Sequence, residues 1–261
     1  MPIGDDAAVV DAPGGRLLLA ADLVVEGVHF DLSLVALDDV GWKALTVNVS
    51  DIAAMGGEPG HALVSVVVPA GTDLDRLYDG LTAAAEEYGC PIAGGDLSGG
   101  DSLVVAVAIT GSVDGEPVRR SGARPGDALV VTGPLGAAAA ALATRPVGLA
   151  HRRPQARLAE GVAARQAGAT AMMDLSDGLL TDLRRLADAS GVGVVVDEVP
   201  VADGASREQA LGGGEDFELL IAIADPARLP DCIPIGRCTD DPSERRLGDG
   251  DLPEGGWEHT W

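Results

Sequence analysis

Apolar residues along this chain fall into short runs separated by glycine-bearing turns. RLLLAADLVV (16–25), HALVSVVVP (61–69) and SLVVAVAITGSV (102–113) are rich in Val, Leu and Ile; each predicts a strand. Between the first two, DDVGWKALTVNVSDIAAMGG (38–57) repeats apolar residues at helical spacing and stops at Gly56 and Gly57, which predicts a long helix with a glycine terminus. A second helix is predicted over 73–88. Turn formers then dominate DGEPVRRSGARPGD (114–127), the best internal boundary. Beyond it, LVVTG predicts a strand and PLGAAAAALA a helix. MMDLSDGLLTDLRRLADASG predicts a short strand running into an amphipathic helix with Ser176 as its N-cap. VGVVVDEVP predicts another strand, and GGGEDFELLIAIA a turn feeding one more. HRRPQAR (151–157) is expected to be a solvated helix start rather than a phosphate patch, and 240–261 is polar with little periodicity. The alternation gives an α/β (α+β) fold in two domains, 1–115 and 116–261.

Composition narrows the function classes. The chain of 261 residues is 46% apolar but only 3% aromatic, so its core is built from Ala, Val and Leu. No apolar run is long enough for a membrane span, and the N-terminus has no signal-peptide pattern, so the expected location is the cytoplasm. Cys90, Cys232 and Cys238 share no close spacing and are expected to be reduced thiols. A net charge of −23, from 41 acids against 18 bases, disfavours a nucleic-acid partner, whose phosphates would be repelled.

The placement of the acids says more than their number. Asp5 and Asp6 follow Gly4, Asp96 follows Gly94-Gly95, Asp177 precedes Gly178 with Asp174 three residues earlier, and Glu215 and Asp216 follow a glycine triplet. Asp22 ends a strand, and Asp51 lies on the Asn48 face of the first long helix. The recurring pattern is a carboxylate at a glycine-bearing turn beside an apolar strand. Glycine lets the backbone turn tightly and lets a ligand come close. A carboxylate so placed is partly desolvated, which is costly without a compensating partner. With Lys43 the single lysine, a hard divalent cation is the economical partner, and magnesium takes carboxylate oxygens together with substrate phosphates. The acids therefore point to a convergent metal site and to nucleotide chemistry. No Walker-type GxxxxGK[ST], no kinase HRD or DFG and no strand-following GxGxxG is present, so a nucleotide would be held by metals, glycine-rich backbone and a few arginines.

IGDDAAVV, DLVVEGVHF, WKALTVNVSDIAAMGGEP, AGGDLSGG, RRSGARPGD, MMDLSDGLLTDL and GGGEDFELL occur in this order. In order and spacing they resemble the thiamine-monophosphate kinase family, within the superfamily of aminoimidazole ribonucleotide synthetase. The resemblance covers most of the chain. It implies two synthetase-like α/β domains, a homodimer formed by the N-terminal sheets, and ATP-dependent phosphorylation of thiamine monophosphate to thiamine diphosphate with several Mg²⁺ ions. It matches Asp6, Asp22, Asp51, Asp96, Asp174 and Asp177 to magnesium ligands. Gly95, Asp96, Arg120 and Ser176 match ATP contacts, and His29, Glu215 and Trp257 match substrate contacts. From the residues alone, His29 is otherwise a strand-end histidine, Trp257 a core plug, and Arg119 and Arg120 turn decoration.

Two departures from the family bear on the site. The family carries a further segment ahead of GDD, whereas this sequence starts two residues before Ile3, so the strand carrying Asp6 is expected to fray unless tied into a sheet. Ala20 and Ala21 stand where the family often has Ser-Thr. The alternatives at this point are another ATP-dependent member of the superfamily, or a nucleotide- and metal-binding protein without turnover. The absence of an N-terminal reactive cysteine and of a C-terminal one disfavours selenophosphate synthetase and the hydrogenase-maturation dehydratase.

Overall fold

The computed structural model describes residues 4–12 and 15–257. The first half contains β1 (Ala8–Ala12), β2 (Gly15–Val25), α1 (Leu37–Ala54), β3 (Glu58–Val68), α2 (Leu74–Tyr88), β4 (Ile92–Gly99) and β5 (Val104–Val113). The second contains β6 (Ala128–Val131), α3 (Ala137–Leu142), α4 (Leu149–Arg152), α5 (Leu158–Ala167), β7 (Ala171–Asp174), α6 (Leu179–Ser190), β8 (Gly193–Val196), α7 (Arg207–Gly212), β9 (Leu219–Ile223), β10 (Ile233–Thr239), β11 (Arg245–Leu247) and β12 (Gly250–Asp251).

The first sheet runs β1-β2-β5-β3-β4. All its pairs are antiparallel except β3–β4, joined in parallel through α2. Its alternating side chains divide cleanly. Leu18, Val64, Val66, Val105 and Val107 are buried, whereas Leu19, Leu23, Leu63 and Val67 face outward and stay exposed. AGGDLSG lies within β4 rather than in a turn; parallel pairing with β3 draws this glycine-rich stretch into an extended strand. The second sheet is mixed, in the order β12-β11-β8-β10-β6-β9-β7. One face packs on α6 through Leu179, Leu183 and Leu186. The other packs on α5 and on Ala53 and Ala54 at the end of α1.

Helix α1 is buried around nearly its whole circumference, as expected of a helix between layers. Its backbone meets α2 where a Cβ on Gly41 would lie 2.1 Å from the Leu77 carbonyl, and one on Gly80 1.9 Å from that of Asp38. At its far end, a Cβ on Gly161 of α5 would stand 2.1 Å from the Ala53 carbonyl. α1 is therefore wedged between both sheets, and side chains on it reach residues from either half.

Three sequence expectations change. Ser176 does not cap α6: the chain bends through Ser176 and Asp177, and the cap falls on Gly178 (φ 101°), with no side-chain bond. The polar tail is partly ordered into β11 and β12, which gain strand structure by pairing outward from β8. HRRPQAR is neither a solvated start nor a phosphate patch. Arg152 and Arg153 bind the buried Asp39, Arg153 also binds Asp38 at 2.7 Å and stacks over Trp42, and Trp42 Nε1 donates to the Pro154 carbonyl at 2.9 Å. The segment straps the second half onto the start of α1.

Candidate active site at the junction of the sheets

The site is organised from α1. The buried Asn48 donates to the Ala44 carbonyl (3.0 Å) and accepts the backbone N–H of Asp22 (2.8 Å), which fixes the middle of β2. One turn on, Asp51 shares that face. The Ser50 hydroxyl donates to Asp174 at 2.6 Å, tying the end of β7 to the same helix. Asp6 enters from the turn before β1, and oxygens of Asp6, Asp51 and Asp174 lie within 4.8 Å of one another.

Burial, followed by the negative charges of Asp174, Asp22 and Asp6, pushes the Asp51 carboxyl well above its ordinary value. Burial and then Asp6 do the same to Asp174. Asp6 is also raised, chiefly by burial, against the opposing charge of Arg120. Its Oδ2 is buried with no hydrogen-bond partner. Crowded carboxylate oxygens with an unanswered lone pair form the donor set a hard divalent cation takes.

The segment carrying Asp5 and Asp6 is tied down. β1 pairs with β2 over its whole length. Arg120 donates to Asp6 at 2.7 Å; Asp5 receives the Arg119 guanidinium and the Arg120 backbone N–H, both at 2.9 Å. Neither arginine merely decorates the turn, and Asp5 anchors the connecting segment.

Asp182 was not singled out by any motif. Fully buried on α6, it accepts the Asp177 N–H at 2.9 Å, and its carboxyl is pushed up to about 7 by burial and then by Asp177. Arg185 bridges the two aspartates. The signal was present: Asp182 follows Leu179 by three positions and precedes Leu186 by four, so an acid stood on the apolar face of the helix.

A cavity of about 490 Å³ is lined by Asp22, Ser176 and Asp177 and also by His29, Glu215 and Trp257, with Val28, Phe30, Leu142 and Phe217 supplying apolar wall. Six of the residues expected to bind metal, ATP or substrate thus line one cavity. Asp22 lies close enough to the Asp6–Asp51–Asp174 cluster to act on two of its members. The tail reaches the cavity because the Trp257 N–H donates to the Asp177 carbonyl at 2.8 Å and the Thr181 hydroxyl to that of Gly255 at 2.8 Å. At 51% exposure Trp257 is no core plug. Residues 258–261 of GWEHTW lie outside the described residues. His29 Nδ1 accepts the Val25 N–H at 3.1 Å in the turn closing β2.

The opposite wall is the loop after α7. Glu215 (φ 58°) and Phe217 (φ 51°) are left-handed non-glycine residues, a strain that persists where surrounding bonds over-determine it. Here the Glu215 N–H donates to Ser176 (2.8 Å) and the Phe217 N–H to Leu175 (3.0 Å). Every acid in the loop has partners. Asp216 accepts the N–H groups of Gly136 (2.6 Å) and Ala138 (3.0 Å) at the start of α3. Glu218 takes Arg157 and the Thr132 hydroxyl. Glu215 takes Lys43 Nζ at 2.7 Å and His151 Nδ1 at 3.0 Å.

Gly95 and Asp96 stand apart. The register aligns Leu23, Ala106, Ser65 and Asp96 in one row across the sheet, one residue from the row of Asp22, Val107, Val64 and Gly95. Asp96 therefore faces the exposed side with Leu23, away from Asp22. Three strand spacings of about 4.8 Å also separate β4 from β2.

Two α/β halves, with an acidic cluster and a cavity at their junction, define an AIR synthase related protein. Residues 4–113 match the family model of the AIR synthase related N-terminal domain and residues 124–247 that of the C-terminal domain. Within that class the chain belongs to the thiamine-monophosphate kinase family. It is 37% identical to the thiamine-monophosphate kinase of Methanospirillum hungatei JF-1 over 98% of this chain and 93% of that protein. It is 38% identical to that of Bacillus subtilis over 85% of this chain and 77% of the relative. The solved structure of AaThiL complexed with AMPPCP and TMP matches with a TM-score of 0.90 at 35% identity, covering 99% of this chain and 92% of that one.

Proposed function

We propose that the cavity is where thiamine monophosphate accepts a phosphoryl group from ATP, giving thiamine diphosphate. The chain is a thiamine-monophosphate kinase, supported by its relatives and by the AMPPCP and TMP complex of its structural counterpart. The observation that carries the reading is that one cavity joins Asp22 and Asp177, beside the carboxylate cluster, to Glu215, His29 and Trp257. A doubly charged phosphate ester with a cationic aromatic ring needs both kinds of wall.

Asp6, Asp51 and Asp174, with Asp22 and Asp177, would hold magnesium. Held there, magnesium would supply the positive charge that lets the phosphates of the two substrates approach each other. The chain's own residues bind, orient and shield. Glu215 offers an anion to the thiazolium, and the half-exposed Trp257 an aromatic face. Arg120, which donates to Asp6, would add positive charge to the transferring group. The acceptor is already an anionic phosphate, so no side chain has to act as nucleophile or remove a proton.

Gly95 and Asp96 fit the ATP and metal site through a second copy of the chain. Leu19, Leu23, Leu63 and Val67 form an exposed apolar face of the first sheet, which suits a homodimer. Asp96 lies on that face, from which it would reach the partner. Substrates of this kind and free thiols at Cys90, Cys232 and Cys238 agree with a cytoplasmic protein. Among the described residues, no helix is long and apolar enough to cross a membrane.

The test mixes purified protein with Mg-ATP and thiamine monophosphate and follows thiamine diphosphate. Product that disappears on magnesium removal is expected; ATP binding with no product at any magnesium concentration overturns the kinase reading. Leu63→Asp is expected to yield a monomer in sedimentation and to lose activity. An active monomer would remove the second copy from the site.

A further inference from the structure

Lys43, the chain's single lysine, lies on α1 but takes no part in the carboxylate cluster. Its side chain is 4% exposed, and Val40 and Val47, one turn to either side on the same helix, are buried. An ammonium group in such surroundings is costly unless paired. Its Nζ binds Glu215 Oε1 at 2.7 Å and donates to the His29 carbonyl at 3.2 Å. His151, buried on α4, brings Nδ1 to the other Glu215 oxygen at 3.0 Å. Two helices thus converge on one carboxylate in the cavity wall, and the left-handed backbone of Glu215 holds it there.

Stability alone does not call for this arrangement, since a well-packed apolar pair often serves a buried position as well or better. What the arrangement achieves is a fixed anion at the cavity surface. Lys43 also joins the turn carrying His29 to the loop carrying Glu215, two walls of the same cavity.

We propose that Lys43 and His151 are positioning residues for the substrate's cationic ring: they orient the Glu215 carboxylate, and Lys43 sets the spacing between the Glu215 and His29 walls. The inference rests on the thiamine monophosphate reading above. Neither residue need touch the substrate. Their loss acts through Glu215 and is confined to the substrate side, because the carboxylate cluster has its own anchors in Asn48, Ser50 and Arg120.

Calorimetric titration of the full chain with thiamine monophosphate, and separately with Mg-ATP, tests this. Lys43→Met is expected to weaken thiamine monophosphate by about 10- to 100-fold, the range for losing a charge-assisted hydrogen bond, and to leave Mg-ATP within about 2-fold. KM for thiamine monophosphate should follow the affinity, with kcat changing less. Glu215→Gln should add less than about 3-fold to Lys43→Met, because both act through one group. Should Lys43→Met fail to fold, the Lys43→Met/Glu215→Gln pair, which leaves no orphan charge, and His151→Phe are read in its place. The pair is expected to match Glu215→Gln alone, and His151→Phe to weaken thiamine monophosphate but not Mg-ATP. Unchanged affinity for thiamine monophosphate, equal losses for both ligands, or fully additive effects would overturn the proposal. A wild-type protein that turns over no thiamine monophosphate would instead overturn the functional reading beneath it.

Discussion

Two groups of acids face the same junction and behave in opposite ways. Asp6, Asp51 and Asp174 crowd together with little to balance them, and burial, followed by repulsion from neighbouring acids (Asp5 in the case of Asp6), raises all three carboxyls. In the loop after α7, burial would also raise Glu215, but the hydrogen bond from His151 and the charge of Lys43 outweigh it and hold the carboxyl at about 2. Asp216 falls between: its backbone N–H bonds soften, without cancelling, the effect of burial. Both groups are acids drawn into the same junction, so the difference lies in which cations the fold delivers. The loop is answered from within by Lys43, His151 and Arg157. Among the described residues the cluster receives only Arg120, and its orphaned Asp6 oxygen marks where an external cation would complete it. A buried acid with its own partners is architecture, or a fixed charge for a ligand; one without them awaits something the protein does not encode.

The largest way to break this comparison is Asp51→Asn. Turnover is expected to fall by about 10³-fold or more, while the magnesium-free protein melts no lower than wild type because a repelling charge has been removed. The stabilisation that magnesium gives wild type should disappear. A variant that keeps that magnesium-induced shift would take Asp51 out of the metal site. Next is Arg157→Met, on the other side of the comparison. It strands the buried Glu218 and should cost about 2–4 kcal/mol, toward the lower part of the range for breaking a buried pair because the guanidinium is partly exposed. Adding Glu218→Gln should recover most of that loss in denaturant melts; if it does not, the loop acids are not structural.

How far the sequence carries depends on whether a feature is local. β2, β3, β5, α1 and α2 lie close to where their alternation and helical spacing placed them, since each pattern reads within its own segment. β11 and β12 carry little pattern because pairing with β8 makes them strands. Of the candidate site acids, Asp6, Asp174 and Asp177 were read at or near glycine turns beside strands, and Asp51 by its place on the Asn48 face of α1. Their partners were not, because Lys43 and Glu215, or Asp39 and Arg152, meet only after the chain has folded across more than a hundred residues. Asp5 shows the limit well: the turn was readable, the arginines that use it were not.

A pH experiment sharpens the contrast from the loop side. Glu215 is held at about 2, below its ordinary 4.5. Its contribution to stability is therefore full above pH 4.5 and is lost as pH falls from there through about 2. The stability difference between wild type and Glu215→Gln should shrink as pH is lowered from about 6 to about 3. In a Lys43→Met background that shrinkage should be weaker, since one of its causes is gone. A difference constant with pH would mean that Glu215 is not held as an ion pair.

The smallest effect is expected at the strap. Asp39 is buried and accepts from both Arg152 and Arg153, which at first sight makes it as critical as Glu218. It is not, because the strap is fixed several times over. Arg153 also binds Asp38 and stacks on Trp42, Trp42 holds the Pro154 carbonyl, and the Tyr88 hydroxyl accepts the Ala156 N–H at 3.2 Å. Asn at position 39 keeps one acceptor, and the partly exposed arginines can turn to water. Asp39→Asn should therefore cost about 1 kcal/mol, a shift of a few degrees in melting temperature. Affinity for thiamine monophosphate should be unchanged, since His151 keeps its bond to Glu215. A loss of that affinity out of proportion to the loss of stability would show that the strap sets the position of His151, and would move Asp39 from architecture to the substrate wall.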